Sequence, residues 1–152
     1  MNQDHTQHNF KAFVWHATWL AFTSTFTEIN TVLPGMILRV GGNQIHVGIL
    51  TAIMVGVPML TQLVFAGFLT PKPRKKPYLL LGIYLRVIAL GGVAWTLSSI
   101  TDIDPLVVIF LVYGWMLMFT TSGAFAGVSY TDILGKSIAG NVRKRFFVVR
   151  QF

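Results

Sequence analysis

The sequence predicts an all-α membrane protein with four transmembrane helices, and two observations carry this prediction. Of its 152 residues, 53% are hydrophobic and 11% are charged, with a mean hydropathy of +0.62, which is far from the balance of soluble domains. Four apolar runs are each close to the roughly 20 residues that a bilayer core requires. A soluble four-helix bundle would carry a polar stripe on every helix, whereas the second and fourth runs are apolar nearly all round.

The first apolar run covers residues 10–33 and follows a short polar tail, residues 1–9, which we assign to the cytoplasm. Trp15 and Trp19 lie near the start of the run, and Pro34 with Gly35 is a plausible stop. A secretory signal would have an apolar core of about half this length. The run therefore predicts a spanning helix.

The second run, residues 45–69, has no charged side chain and is interrupted by Pro58, so we expect a kinked spanning helix. It leads into a stretch that we call the basic loop, residues 67–77. Three prolines in the basic loop forbid a continuous helix, so the chain must fold back there. Its positive charges are Lys72, Arg74, Lys75 and Lys76.

The third and fourth spans are predicted at residues 78–97 and 106–129. The transmembrane region then comprises residues 10–134, and residues 135–152 form a basic cytoplasmic segment. Both termini and the basic loop are placed in the cytoplasm by the positive-inside rule, because Arg39 is the only Lys or Arg in the loops on the opposite side. This topology accounts for the net charge of +7 and argues against nucleic-acid binding, which needs a continuous basic face.

Ionisable side chains at membrane depth are costly, so they indicate function. Glu28 and Arg86 are such residues, and with Asn30 they are our candidates for a transport pathway. Their different depths argue against a direct ion pair. Two plainer alternatives stay open: Glu28 at the outer interface, and Arg86 reaching back to the cytoplasmic headgroups. Asp132 is assigned to a cytoplasmic helix end.

Two further patterns concern helix surfaces. The polar side chains of the first run predict a face that meets water or other helices, or side chains that bond their own helix carbonyls. Small residues at helical spacing predict close helix packing. The polar set is Thr23, Ser24, Thr25, Thr27 and Asn30, and the small set is Gly48, Ala52, Gly56, Gly123 and Gly127.

No pattern predicts an enzyme. Cysteine is absent, so there is neither a disulfide framework nor a thiolate metal site. The sequence shows no phosphate-cradling loop, no His cluster at metal-ligand spacing and no nucleophile with a base. We therefore expect no catalytic residue, no metal and no cofactor.

The basic loop resembles the cytoplasmic loop between the second and third helices of major facilitator superfamily transporters. That motif has a glycine, an acidic residue and then a basic cluster. Pro71 stands in place of its acidic residue and Arg74 in place of its second glycine. The positions that match are Gly67, Lys72, Lys75 and Lys76.

A second resemblance lies near the end of the chain. Asp132, followed by Arg143, Arg145 and Arg150, is similar to the family's loop after helix four. Residues 28–34, 41–42 and 48–50 are similar to the outer end of helix one and the start of helix two in a bacterial branch. Together these stretches cover most of the chain in the family's order.

The resemblance implies a transporter built from inverted three-helix repeats, paired into two six-helix halves with the substrate bound between them. The chain then corresponds to the N-terminal piece of a secondary transporter in the bacterial inner membrane, moving a small solute by alternating access. It would not transport alone. The remaining helices, starting with a fifth after residues 135–152, would come from a missing C-terminal portion or a second chain.

Two other classes stay open. One is a self-contained four-helix exporter resembling the small multidrug resistance family, acting as a dimer, although its membrane glutamate would lie deeper than Glu28. The other is a non-transporting membrane subunit that docks onto another chain through small-residue faces.

Overall fold

The computed structural model describes residues 3–137 and residue 148, with side chains described for residues 10–136 and 148. This part of the chain is all-helical and contains no strand, which confirms the predicted fold class. The four-helix count is not matched, because the structure has five helices. They are α1 (Gln3–Phe26), α2 (Val32–Arg39), α3 (Gln44–Leu69), α4 (Lys76–Ser98) and α5 (Pro105–Ser137).

Three of these helices, α3, α4 and α5, are long and apolar enough to cross a membrane. The predicted first span is divided instead, because α1 ends at Phe26 and α2 begins at Val32. Residues 10–26 rise only about 25 Å, less than the hydrocarbon core of a bilayer. Pro34, which we expected to stop the first helix, lies in the first turn of α2, where proline is tolerated because the first N–H groups have no helical partner.

The connection from α2 to α3 is set by local chemistry. Gly41 has a φ of +99°, and the N–H groups of Gly41 and Gly42 donate to the carbonyls of Leu38 and Ile37. This is the Schellman arrangement that ends a helix at a glycine. Asn43 then starts α3: its side chain accepts from two backbone N–H groups, while the His46 ring accepts from the Asn43 N–H.

The flanking helices extend into the basic loop, so that residues 67–69 belong to α3 and residues 76–77 to α4. α3 passes through Pro58 and ends at Leu69. α4 begins at Lys76, with Pro77 in its first turn, so the basic loop is an abrupt reversal between two antiparallel helices.

α5 is the central helix, packed against both α3 and α4. The main core lies toward the start of α5, where α2 closes it with Leu33 and Ile37. At the far end of α5, Leu134 packs with Phe10, Phe13 and Val14 of α1. The main core also contains Leu50 of α3, Ala89 of α4, and Val108, Ile109, Val112 and Met116 of α5.

The close contact between α4 and α5 depends on glycines that the sequence reasoning did not select. A Cβ on Gly82 would lie 2.8 Å from the Cβ of Ala126, and one on Gly92 would overlap the indole of Trp115. Trp115 in turn donates to the Thr96 hydroxyl at 3.1 Å, and that hydroxyl donates to the Gly92 carbonyl at 2.8 Å.

The predicted small-residue faces behave differently. A Cβ on Gly48, Gly56 or Gly127 would meet nothing within 4 Å, whereas one on Gly123 would meet the Arg86 guanidinium, so only Gly123 of these four packs against another described helix. Gly48, Gly56 and Gly127 therefore face open space. Docking of another chain on them stays a prediction.

The outer surface of the helices is strongly apolar. Leu60 and Leu63 of α3 are 73% and 77% exposed, which suits contact with lipid tails. The polar side chains of α1 bond their own helix: Thr23, Ser24 and Thr25 each donate to the carbonyl four residues earlier. Of the two interpretations above, the structure shows self-bonding, which requires no polar surroundings.

Candidate functional site

The two ends of the helical bundle carry opposite charges within the described residues. At the end where Phe10 meets Leu134, the charged groups are chiefly Lys11, the basic loop and Lys136. At the other end, Glu28, Asp102 and Asp104 outnumber Arg39. The sequence pattern of loop charges is therefore matched by a three-dimensional separation between the ends.

The basic loop is held to the end of α5 by an ion-pair cluster. Lys75 Nζ lies 3.2 Å from Asp132 Oδ1, and Lys136 Nζ lies 2.8 Å from Asp132 Oδ2. The Lys75 side chain is only 10% exposed, whereas that of Lys136 is 68% exposed. Lys75 thus makes the contact that joins the loop to α5, and Lys136 braces the carboxylate from within its own helix.

An aromatic cluster lies beneath the basic loop. The Phe65 ring of α3 meets the Phe125 ring of α5 edge to face at 5.0 Å, and Phe68 meets Tyr78 of α4 at 5.9 Å. Lys72 Nζ lies 5.1 Å from the centroid of the Phe68 ring, a cation–π contact. Three helices are therefore joined at the level of the loop.

The remaining residues of the two motifs are not drawn together. Gly67 has open space where a side chain would be, and Arg74 and Lys76 are exposed. Arg143, Arg145 and Arg150 lie outside the described residues. The structure thus brings together Lys75 and Asp132, one residue from each motif.

Glu28 and Asn30 lie in the turn between α1 and α2, where the Glu28 carboxylate is fully engaged. It accepts from the backbone N–H groups of Asn30 and Thr31 at 2.8 and 2.6 Å, from the Asn30 amide at 2.8 Å and from the Thr31 hydroxyl at 2.8 Å. The hydrogen bond from the Thr31 side chain is the main reason why the pKa of Glu28 is lowered. The carboxylate organises the turn, and its role in a solute pathway stays a prediction.

Arg86 lies near the middle of α4, about 15 Å from Lys76 along the helix axis. Its guanidinium lies at the interface with α5, with Cζ 4.6 Å from the centroid of the Phe119 ring. A Cβ on Gly123 would come within 2.8 Å of Arg86 Nη2. Because glycine has no side chain, the guanidinium can occupy this space. We call Arg86, Phe119 and Gly123 the Arg86 seat.

The guanidinium is thus packed against α5, and the alternative in which it reaches the cytoplasmic headgroups stays open. Arg86 Nε is buried and has no hydrogen-bond partner among the described residues. Arg86 also belongs to none of the ion pairs in this part of the chain. Arg86 as a whole is half-buried, and a cation partly withdrawn from water without a hydrogen-bonded counter-charge is costly.

A cleft of about 590 Å³ lies between α1 and α2 on one side and α4 and α5 on the other. Its walls are mainly apolar, with Trp19 and Phe22 from α1, and Leu90 and Met116 near the level of the Arg86 seat. A second, shallower cleft of about 400 Å³ lies between α3, α4 and α5. Within the described residues no cluster of His, Cys, Asp and Glu could hold a metal ion.

Comparisons of the chain with protein-family models, curated proteins and solved structures gave no match.

Sequence reasoning selected Arg86 but missed Phe119 and Gly123, which position it. One signal was available for Gly123, because it belongs to the small-residue set on the fourth run. Nothing in that pattern pairs it with Arg86, since the pairing depends on how α4 and α5 are aligned.

Proposed function

We propose that this chain is the N-terminal piece of a major facilitator superfamily type secondary transporter. The complete carrier moves a small solute across the bacterial inner membrane by alternating access. In this proposal α1 crosses the membrane together with α3, α4 and α5, using its full 24 residues, which rise about 36 Å, and both termini lie in the cytoplasm. The chain alone does not transport, because the second wall of the solute pathway comes from further helices.

The ion pair between Lys75 and Asp132 is the observation that carries the proposal. These residues belong to the two separate stretches that resemble the family's cytoplasmic loops. Their side chains meet at 3.2 Å, although the apolar helices α4 and α5 separate them in the chain. Two loops that contribute to one cytoplasmic face should be neighbours in this way.

The separation of charge between the ends supports the same topology. Lys11, the basic loop and Lys136 share one end, which fits the cytoplasmic side under the positive-inside rule. The opposite end carries Asp102 and Asp104, and acidic loops are tolerated outside.

Because the chain has no cysteine, labelling of single introduced cysteines tests the topology directly. Pro73→Cys lies in the basic loop and Thr101→Cys in the turn between α4 and α5, and both positions are exposed. In intact cells we expect a membrane-impermeant maleimide to label Thr101→Cys, and to label Pro73→Cys only after permeabilisation. Labelling of both in intact cells would contradict the topology.

The incompleteness of the chain is tested in proteoliposomes. We expect no uptake or efflux of solutes by the purified chain, and an open reading frame for further apolar spans directly downstream in the gene. Transport by the chain alone that is lost on Glu28→Gln would instead support the small self-contained exporter.

A further inference from the structure

We propose that the cleft between α3, α4 and α5 binds one acyl chain of an anionic phospholipid, whose phosphate headgroup lies against the basic loop. We call this cleft the lateral groove. The proposal requires that α3, α4 and α5 lie in a membrane, but it does not require transport. Three features carry it: the exposure and length of the groove, its alignment with the basic loop, and the positive charges of the loop that have no counter-charge.

The lateral groove has a volume of about 400 Å³. Two leucines that line it, Leu81 of α4 and Leu117 of α5, are 50% and 44% exposed, so the groove opens on the outer surface of the helices. With these helices in a membrane, its open side faces lipid tails. Its lining residues include Phe65, Leu81, Leu85, Gly114, Leu117 and Phe125.

The groove is about as long as one leaflet of a bilayer is deep. Along α5 it extends from Gly114 to Phe125, which is about 16 Å along the helix axis. The hydrocarbon core of a bilayer is about 30 Å thick, so one layer of acyl chains is about 15 Å deep. An acyl chain in the groove therefore extends from the headgroup level to the bilayer midplane.

The groove leads toward the basic loop. Asp132 follows Phe125 by seven residues, nearly two full turns, so the two lie on one face of α5. Asp132 is about 10 Å beyond Phe125 along the helix axis, and its carboxylate is 3.2 Å from Lys75 Nζ of the basic loop. This spacing places the loop at about the polar layer of a bilayer, which extends about 5–8 Å beyond the core on each side.

Aromatic contacts connect the groove with the loop. Phe125 lines the groove, and its ring centroid lies 6.1 Å from that of Tyr78 and 6.5 Å from that of Phe68. Lys72 Nζ lies 5.1 Å from the centroid of the Phe68 ring. The Lys72 ammonium group is therefore held against the rings at the end of the groove.

The basic loop has more positive charge than its neighbour Asp132 can balance. Asp132 is already shared by Lys75 and Lys136. A lipid phosphate carries the opposite charge and accepts hydrogen bonds from Lys and Arg, so charge complementarity favours an anionic lipid over a zwitterionic one. The loop cations that belong to no ion pair among the described residues are Lys72, Arg74 and Lys76.

Native mass spectrometry of the full chain, purified in detergent micelles and titrated with lipids, tests the proposal. Dioleoylphosphatidylglycerol and dioleoylphosphatidylcholine have the same acyl chains and differ in net charge. We expect the phosphatidylglycerol to bind about fivefold or more tighter, since each Lys or Arg near an anionic lipid contributes about a factor of five. Equal binding of the two lipids would overturn the proposal.

Two soluble probes separate the headgroup from the acyl chain. Dihexanoylphosphatidylglycerol has the same headgroup but chains too short to fill the groove, and glycerol 3-phosphate has no chain. We expect the first to bind about tenfold or more weaker than the dioleoyl lipid, because each buried CH₂ adds to affinity, and the second not to compete with it. Binding of either probe as tightly as the dioleoyl lipid would refute a chain held in the groove, and for glycerol 3-phosphate it would indicate a site for free phosphate.

Glycine variants locate the acyl chain. Gly114→Leu places a side chain into open space in the groove, whereas Gly127→Leu places the same side chain into open space of α5 outside it. We expect Gly114→Leu to weaken binding of dioleoylphosphatidylglycerol several-fold and Gly127→Leu to leave it unchanged. Equal effects of the two substitutions would contradict the groove as the site.

Charge variants locate the headgroup. Lys72→Gln combined with Arg74→Gln should remove most of the preference for phosphatidylglycerol over phosphatidylcholine. The control, Lys11→Gln combined with Arg39→Gln, removes the same charge from α1 and α2, which do not line the groove, and should keep the preference. A full preference in the loop variant would refute the headgroup contact.

The same spectra show whether a second copy of the chain covers the groove instead. A dimer that Gly114→Leu dissociates, without any preference between the lipids, would replace the lipid by a partner chain and overturn the proposal.

The outcomes also separate this proposal from the transporter proposal. Loss of lipid preference with the expected cysteine labelling removes the lipid site alone. Lipid preference that depends on the basic loop, with both cysteines labelled in intact cells, keeps the lipid site and removes the transport topology.

Discussion

The Glu28 turn and the Arg86 seat are two charged positions that the structure accommodates in opposite ways. Glu28 receives four short hydrogen bonds, all from residues two and three positions later in the chain. Arg86 is positioned by Phe119 and Gly123 of a different helix, and its Nε–H stays unused among the described residues.

The difference follows from what the backbone offers at each place. A turn before a helix has free N–H groups, so a carboxylate there can be satisfied by its neighbours in sequence. In the middle of a helix every N–H and C=O is already paired, so a cation must find its partner on another element or a ligand. A charged residue in a sequence therefore indicates function chiefly where its neighbours in the chain cannot supply hydrogen bonds or an opposite charge.

The largest loss of stability is expected from a substitution where α4 and α5 approach each other most closely. Gly92→Ala would force a methyl group into Trp115, whereas Gly91→Ala meets open space. We expect Gly92→Ala to lower the free energy of unfolding by about 1–3 kcal/mol, and Gly91→Ala to leave it unchanged or raise it by about 0.5–1 kcal/mol. Unfolding by sodium dodecyl sulfate in mixed micelles, followed by circular dichroism, measures both.

Gly92→Ala also sharpens the comparison between the two regions. It should disturb the Arg86 seat, which depends on the alignment of α4 and α5, and spare the Glu28 turn, which does not. Nuclear magnetic resonance shifts of the Gly123 and Thr31 amides report the two regions separately. An equal response of both amides would show that the turn is not locally determined.

A smaller loss of stability is expected when the ion pair between Lys75 and Asp132 is removed. This ion pair joins two helices, as the Arg86 seat does, but both of its charges are supplied by the chain. Lys75→Met and Asp132→Asn should each lower the unfolding midpoint, and the double variant should be less destabilised than the sum of the two. Lys136→Met is the matched control and should have the weaker effect, because Lys136 is largely exposed. Additive effects of Lys75→Met and Asp132→Asn would show that the contact contributes nothing.

The smallest change in stability is expected from a substitution of Glu28, and this change depends on pH. The pKa of Glu28 is lowered in the folded state, first by the hydrogen bond from the Thr31 side chain. Its contribution to stability is therefore fully present above the unfolded-state pKa of about 4.3, and is lost as the pH falls through the lower folded-state pKa. Thermal unfolding of the protein and of Glu28→Gln between pH 7 and pH 3 checks this.

The expected result is a difference in unfolding temperature between the two proteins that is constant above about pH 5 and shrinks as the carboxylate protonates. The Arg86 seat has no titrating partner within the described residues, so Arg86→Met should show no such window. A difference for Glu28→Gln that persists unchanged at pH 3 would show that the charge of Glu28 does not hold the turn.

The sequence by itself determined the helical class, the apolar runs that become α3, α4 and α5, and the reversal at the basic loop, since hydropathy and proline act locally. It did not predict the break after Phe26, because the proline and apolar residues of α2 continue the pattern of a single span. That break depends on one carboxylate satisfying several donors.

Only the tertiary structure decided which glycines meet another helix and where Arg86 points. Gly82, Gly92 and Gly123 are close to α5 or α4 side chains, while Gly48, Gly56 and Gly127 are not, although all have the same chemistry. The choice depends on the relative rotation and register of two helices. The packed surfaces of the two helices decide this choice, and they place Gly123 and Phe119 against Arg86, the one cation among the described residues that lies in the middle of a membrane-length helix.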